Sequence, residues 1–290
     1  MNTIGVSIIL PTYNRINTLK ECVLSVQSQS YQNWELIIID DSSTDDVEIF
    51  IQPFILDDMR ILYHKNKFKK GLPGSRNVGI SISKYDLILF IEDDLILEPN
   101  MLELLLNAYN TIESSGEPVG AIAPSRPWIY DKDLSTKEYI DNFLESPCKR
   151  SRYTGIISCN FVPKFQKVME VPDVHSCSLY PKKVITEVGG YDEKRYAGNY
   201  LYEETDLNFR IMKYKYKLYF EPKAVMYHRI TTSGGCRVNS FKYGYYFVLN
   251  HIKYVTKNYG LNSFYIIPLF FLYVCNQFLK QNLFSKRLDS

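Results

Sequence analysis

Residues 85–94 read YDLILFIEDD, in which the apolar run Leu87–Ile91 ends on three consecutive carboxylates. Two earlier stretches have a similar shape, VSIILPTYNR at 6–15 and WELIIIDDSS at 34–43. Short runs that are apolar at successive positions suit strands covered on both faces. Strands are therefore expected over Val6–Leu10 (closed by Pro11), Trp34–Ile39 and Tyr85–Ile91, with a shorter one over Ile61–His64. Between them the spacing turns helical. Leu19, Cys22, Val23 and Val26 share a face within Asn17–Ser28, and Ser75–Ser83 and Pro99–Ile112 also read as helices. Alternation of strand and helix to about Ser125 predicts a mostly parallel α/β sheet with helices on both faces.

In open sheets of this kind ligands bind beyond the carboxyl ends of the strands. Thr12-Tyr13-Asn14, Asp40-Asp41-Ser42 and Glu92-Asp93-Asp94 should then gather on one rim. No G-x-G-x-x-G follows the first strand and no Walker A motif occurs, which disfavours an ordinary dinucleotide fold and a P-loop. After Arg126 the pattern is less regular. Pro163–Val171 reads as loop, Val174–Tyr180 as strand, and Lys182–Val188 as a helix stopping at Gly189-Gly190. Asp206–Tyr214 follows as helix, with short strands over Leu218–Phe220 and Val225–Tyr227. This half is expected to complete the sheet and cover its rim.

The 290-residue chain is 46% hydrophobic and 23% charged, enough for a core and incompatible with wholesale disorder. Its 34 basic against 32 acidic side chains leave a formal charge of +2, without the basic excess of a nucleic-acid binder, so no nucleic acid is expected as partner. The six cysteines form no C-x-x-C, which argues against structural zinc. Met1–Gly5 carries no basic, apolar leader, so a cytoplasmic chain with reduced thiols, mostly in the core, is expected.

Near the C-terminus, Phe264–Cys275 (FYIIPLFFLYVC) falls short of the roughly twenty apolar residues that span a bilayer. Pro268 interrupts it, and Lys253, Lys257, Lys280, Lys286 and Arg287 flank it. The segment reads as an element lying on an anionic membrane surface, with a helix packed on the core as the rival and a full span as the third reading. Tyr243, Tyr245, Tyr246, Tyr254, Tyr259, Tyr265 and Tyr273 suit a headgroup boundary, which places the protein at the inner face of the cell membrane.

Carboxylates at a strand end can hold a hard cation against a diphosphate; the plainer reading of Glu92-Asp93-Asp94 is a solvated acidic turn. Taken together, VSIILPTYNR, LIIIDDSSTDD, GLPGSRNVGI and DLILFIEDD, followed by Gly189–Asp192, Glu203–Leu207 and His228, resemble the family 2 glycosyltransferases over roughly Val6–Ile230. The resemblance implies an α/β GT-A (nucleotide-diphospho-sugar transferase) fold. It divides the chain into a catalytic domain over 1–235, with a nucleotide-sugar half (1–125) and an acceptor and catalytic-base half (126–235). A helical, aromatic-rich extension over 236–290 follows.

The same resemblance implies an inverting, metal-dependent transfer from a nucleotide-diphosphate sugar, UDP-type favoured, to a glycan or lipid-linked acceptor. Pro11, Thr12, Tyr13 and Arg15 would cradle the nucleotide and Asp41 its base, with Asp40 a weaker counterpart. Gly74, Arg76 and Asn77 would lie at nucleotide or phosphate, Arg76 neutralising charge. Glu92 and Asp93 would meet the nucleotide sugar, Asp93 at the ribose; Asp94, with Asp93 and His228, would hold Mn²⁺ or Mg²⁺. Glu204 would be the catalytic base, with Glu203 assisting or touching the acceptor. Each motif has a plainer reading, such as an Asx turn at Asp40–Ser43 or an acidic helix start at Glu203–Asp206. Two rival functions are a nucleotidyltransferase and a catalytically silent module that binds nucleotide sugar or glycan. The former lacks its glycine-rich, basic signature after the first strand, and the silent module leaves the Glu203-Glu204 pair without a purpose.

Overall fold

Val6–Thr12 (β1) is buried at all seven positions, as is Trp34–Asp40 (β2), because each lies inside the sheet with helices on both sides. The computed structural model describes residues 4–44, 46–129, 139–140, 145–229, 236 and 238–288, with the backbone alone for 139–140 and 278–288. Along the first half run Ile16–Gln27 (α1), Val47–Asp57 (α2), Ile61–Lys65 (β3), Gly71–Ile82 (α3), Leu87–Phe90 (β4), Leu95–Leu97 (β5), Met101–Ser114 (α4) and Val119–Ser125 (β6). Short strands follow at Trp128–Ile129 (β7), Tyr139–Ile140 (β8), Cys148–Arg150 (β9), Ile157–Cys159 (β10), Met169–Glu170 (β11) and Leu179–Pro181 (β12). Lys182–Glu187 (α5), Glu203–Lys213 (α6), Lys217–Arg229 (β13), Ser240–Asn258 (α7) and Ser263–Leu288 (α8) complete the chain.

The main sheet has the order β3-β2-β1-β4-β12-β6-β13-β7-β8, with β5 and β11 also pairing to β13. β1, β2, β3 and β4 are mutually parallel where they pair, whereas β12 runs antiparallel to β4 and β6. Successive residues of each buried strand feed opposite faces. Ile8, Leu10, Leu36 and Ile38 pack with α1 and α4, while Ile9, Ile37, Ile39 and Phe90 pack with α5 and α6. Strand order reverses at β1, which places the crevice beyond Thr12 and the residues after β4.

Several boundaries differ from the sequence reading. β1 continues through Pro11 to Thr12, in register with Ile39 and Asp40 of β2. α2 was not expected: Val47, Phe50, Ile51, Phe54 and Ile55 pack on the core at helical spacing, but Pro53 sits inside the helix and the exposed Ile49 and Leu56 blur its apolar stripe. The expected loop over Pro163–Val171 contains β11. The two strands expected over Leu218–Phe220 and Val225–Tyr227 are one, β13, which absorbs Pro222 through a register shift between Glu221 and Val225.

The C-terminal helices dock on α6 and the loop that precedes it. In α7, Asn250 exchanges hydrogen bonds with Ala197, and Asn258 donates to Asp206 at 2.7 Å. Lys253 and Lys257, expected to face a membrane, are turned inward: Lys253 Nζ donates to Arg195 O at 2.7 Å, and Lys257 reaches Asp192 and Asp206. Lys280, Lys286 and Arg287 have side chains outside the described residues. Within Phe264–Cys275, Ile266 and Phe270 are buried against α7, while Phe264 and Leu272 stand 79% and 67% exposed. The helix therefore has a packed face and an open apolar face. Tyr243, Tyr245, Tyr265 and Tyr273 are exposed, but Tyr254 is fully buried. Among the described residues no helix is long and apolar enough to cross a membrane. The thiols are less internal than expected, since Cys159 and Cys275 are exposed and Cys236 is intermediate.

Candidate active site

The carboxyl ends of β1, β2 and β4 open onto a cleft of about 810 Å³. Its floor is a charge network. Thr12 Oγ1 donates to Asp93 at 2.8 Å, and Arg15 Nη1 bridges Asp93 and Asp94 at 2.8 and 2.9 Å. His228, near the end of β13, brings Nε2 within 3.2 Å of Asp94 and 3.9 Å of Glu92. Trp128 stacks on the His228 ring at 3.9 Å and fixes its orientation.

Glu92, Asp94 and His228 offer ligand atoms within 4.8 Å of one another. Two carboxylates and an imidazole fit a hard to borderline divalent cation such as Mn²⁺ or Mg²⁺. The grouping differs from the expected one, because Glu92 joins it while Asp93 is turned to Thr12 and Arg15. Burial alone would raise the Glu92 pKa, but Arg126, His228 and Arg76 outweigh it and hold this carboxylate below its usual value. Asp93 is instead pushed up to about 6, burial outweighing Arg15.

At the start of α6 two adjacent carboxylates part company. Glu203 is buried and pairs with the fully buried guanidinium of Arg76, which also lies 3.5 Å from Glu92. Glu204 is half-buried in the cleft wall, and burial raises its pKa. The backbone leading in is strained, Tyr200 and Tyr202 having φ of 56° and 73°. Asn14 and Ser42, beside the cleft residues Tyr13 and Asp41, also have positive φ. At Gly71 (φ 76°) a side chain would collide with Tyr200, so only glycine lets α3 start this close to the loop.

The remaining expected residues sort by location. Pro11 and Tyr13 line the cleft, and the Lys69 ammonium stands 3.5 Å over the Tyr13 ring. Asp41 lines it too while accepting from Lys70 N and Gly71 N, so it also caps the start of α3. Asp40 is fully buried and accepts from Ser43 N and Tyr63 Oη. Three expected nucleotide contacts lie off the cleft. Arg76 is engaged with Glu203, and Gly74 packs against Lys70 and Glu193. Asn77 holds the Gly189–Glu193 turn through both Tyr191 N and Tyr191 O.

Arg126, Trp128 and Ser176, which the sequence reading passed over, also line the cleft; Arg126 Nη1 and Ser176 Oγ reach Glu92 at 3.1 and 2.9 Å. A signal existed for the first two. They directly follow the buried strand β6, at the same carboxyl end as the other clusters.

A family model described as Glycosyl transferase family 2 matches residues 7–171, more than half of the chain. The chain belongs to glycosyl transferase family 2. Among its relatives is a GalNAc(5)-diNAcBac-PP-undecaprenol beta-1,3-glucosyltransferase of Campylobacter jejuni, 26% identical over 248 residues, covering 85% of this chain and 72% of the relative. A UDP-Glc:alpha-D-GlcNAc-diphosphoundecaprenol beta-1,3-glucosyltransferase of Escherichia coli is 36% identical over 102 residues, covering 35% of this chain and 40% of the relative. A Streptococcus pneumoniae glycosyltransferase is 34% identical over 124 residues, 38% of this family 2 chain and only 41% of its own length. Among solved structures, GalNAc-T7 with UDP, GalNAc and Mn²⁺ matches with a TM-score of 0.71 at 17% identity, over 91% of this chain and 50% of that one. That likeness shows the fold, which is GT-A.

Proposed function

We propose that this family 2 chain is an inverting, metal-dependent glycosyltransferase, moving a sugar from a nucleoside-diphosphate donor of UDP type to a lipid-linked or glycan hydroxyl. The observation that carries the reading is the meeting, in one cleft, of Glu92, Asp94 and His228 with a Glu204 carboxylate of raised pKa. Glu92, Asp94 and His228 would hold Mn²⁺ or Mg²⁺, which would offset the charge of the departing diphosphate. Tyr13 and Lys69 present a ring face and a cation to the nucleotide, and Asp41 a carboxylate to its base. Glu204 takes the proton from the acceptor hydroxyl at its carboxylate oxygen, and Arg76 keeps Glu203 from competing for that role. The acceptor class is carried over from the undecaprenol-linked substrates in two relatives' names. A cytoplasmic site of action at the membrane's inner face fits such an acceptor. In this reading residues 1–235 form the catalytic domain and 236–290 an extension whose open apolar face meets the membrane surface.

The test is release of free nucleoside diphosphate from a panel of nucleotide sugars, with undecaprenyl-diphosphate-linked saccharides as acceptors and NMR of the product's anomeric centre. Transfer with inverted configuration is expected. Retained configuration, or pyrophosphate release from a nucleoside triphosphate and a sugar phosphate, would overturn the reading.

A further inference from the structure

Cys148 and Cys159 take no part in the chemistry proposed for the cleft. They stand opposite each other in the antiparallel register of β9 and β10. Asn160 N donates to Pro147 O at 2.7 Å and Ser151 N to Ile156 O at 2.9 Å, so the hydrogen-bonded pairs of this ladder fall at 147/160 and 151/156. Alternation then makes Cys148–Cys159 a non-hydrogen-bonded pair, the closer kind, with Cα atoms about 4.5 Å apart. That spacing lies inside the roughly 4.4–6.8 Å that disulfides occupy. The two Sγ atoms are already 3.1 Å apart. Cys159 is exposed and Cys148 buried, which gives an oxidant one point of entry.

We propose that Cys148 and Cys159 are a modification site, closing to a reversible cross-strand disulfide without rearrangement of the backbone. The oxidant is a small disulfide such as oxidised glutathione. The Cys159 thiolate attacks one of its sulfurs, the oxidant's S–S bond breaks, and one glutathione leaves as thiolate and takes up a proton. Cys148 then gives up its proton and attacks Cys159 Sγ, expelling the second glutathione. Two protein thiols are oxidised to one disulfide while one oxidant disulfide is reduced to two thiols. The hydrogen bond in which Cys159 donates to Cys148 Sγ, together with burial, holds the Cys159 thiol well above its usual pKa, so the first step quickens as pH rises.

The position gives the bond a structural reach. The strand continues into Phe161, whose carbonyl accepts from Arg126 N at 2.7 Å, beside the cleft. At the other end, the tip at Gly155 sits against Val255 and His251 of α7. A closed disulfide therefore stiffens the hairpin that joins the cleft wall to the C-terminal helices.

The experiment equilibrates the full-length protein in buffers of graded reduced-to-oxidised glutathione ratio, quenches, alkylates under denaturing conditions and maps peptides by mass spectrometry. A Cys148–Cys159 cross-link is expected, half-formed at a ratio where Cys22, Cys177, Cys236 and Cys275 are still alkylated as thiols. Hydrogen exchange across 148–159 should slow in the oxidised protein. In Cys148→Ser the reaction should stop at a stable glutathione adduct on Cys159. A wild-type protein that, in the most oxidising buffer, carries glutathione on Cys159 with Cys148 still free, or keeps both as thiols, would overturn the proposal.

Discussion

Glu203 and Glu204 share the first turn of α6, yet only Glu203 is bound to the buried Arg76. Their replacement should therefore fail in different ways. Glu204→Gln is expected to lower kcat by roughly two to four orders of magnitude with little change in donor affinity, the usual worth of a general base. Glu203→Gln leaves Arg76 with Glu92 at 3.5 Å as its remaining carboxylate, and should cost about 3 kcal/mol of stability, read as a lower urea midpoint. An unchanged midpoint together with the larger loss of kcat would reverse the two assignments. The raised pKa of Glu204 also has a sign in the pH profile. A base works ionised, so kcat/KM should fall with decreasing pH through a value above the ordinary glutamate 4.5, and this limb should vanish in Glu204→Gln. At this scale the sequence carried much of the rim, because strand ends converge by topology: Thr12, Asp41, Asp94 and His228 all line one cleft. It did not disclose Arg76 as a buried partner of Glu203. That pairing joins residues 127 positions apart, and an arginine after two glycines looks the same whether it faces a phosphate or a carboxylate.

Among the elements, the docking of α8 on α7 runs through His251, which stacks on Phe270 at 3.9 Å and is fully buried. Burial lowers its pKa from 6.5 to about 4. Between those values the unfolded chain binds more protons than the folded one, so this histidine's contribution is fully present above about pH 6.5 and is lost as pH falls toward 4. The His251 share, read as the difference between urea melts of wild type and His251→Phe, should decline over that interval by at most ~1.4 kcal/mol per pH unit for one proton, while Asp93 and Glu204, whose pKa values are raised, contribute with the opposite sign in both proteins. His251→Phe should reduce the slope, leaving the share of the buried His175, whose pKa is lowered too. An identical slope in the variant would remove His251 from this role. The elements themselves were legible where burial was two-sided, as in β1, β2 and β4. They were less legible in α2, where Pro53 and the exposed Ile49 and Leu56 obscure the packed face, and at the start of α6, which was expected only from Asp206 and begins at Glu203.

For the whole molecule, the exposed Phe264 and Leu272 of α8 contribute little to the folded core and belong to the proposed membrane contact. Replacing the exposed Phe264 and Leu272 by serine should leave the melting temperature within about one or two degrees. The same double variant should lose co-sedimentation with anionic liposomes. Equal sedimentation of variant and wild type, or none by either, would contradict that contact. In the cleft the acidic cluster and Glu204 meet, and the proposed dependence of transfer on a metal held there is read from sugar transfer measured with and without divalent metal in wild type and Asp94→Asn. Turnover is expected in Mn²⁺ or Mg²⁺, with loss in excess chelator, recovery on adding metal back, and no recovery in a folded Asp94→Asn protein. Full turnover in chelator, or in Asp94→Asn, would contradict it.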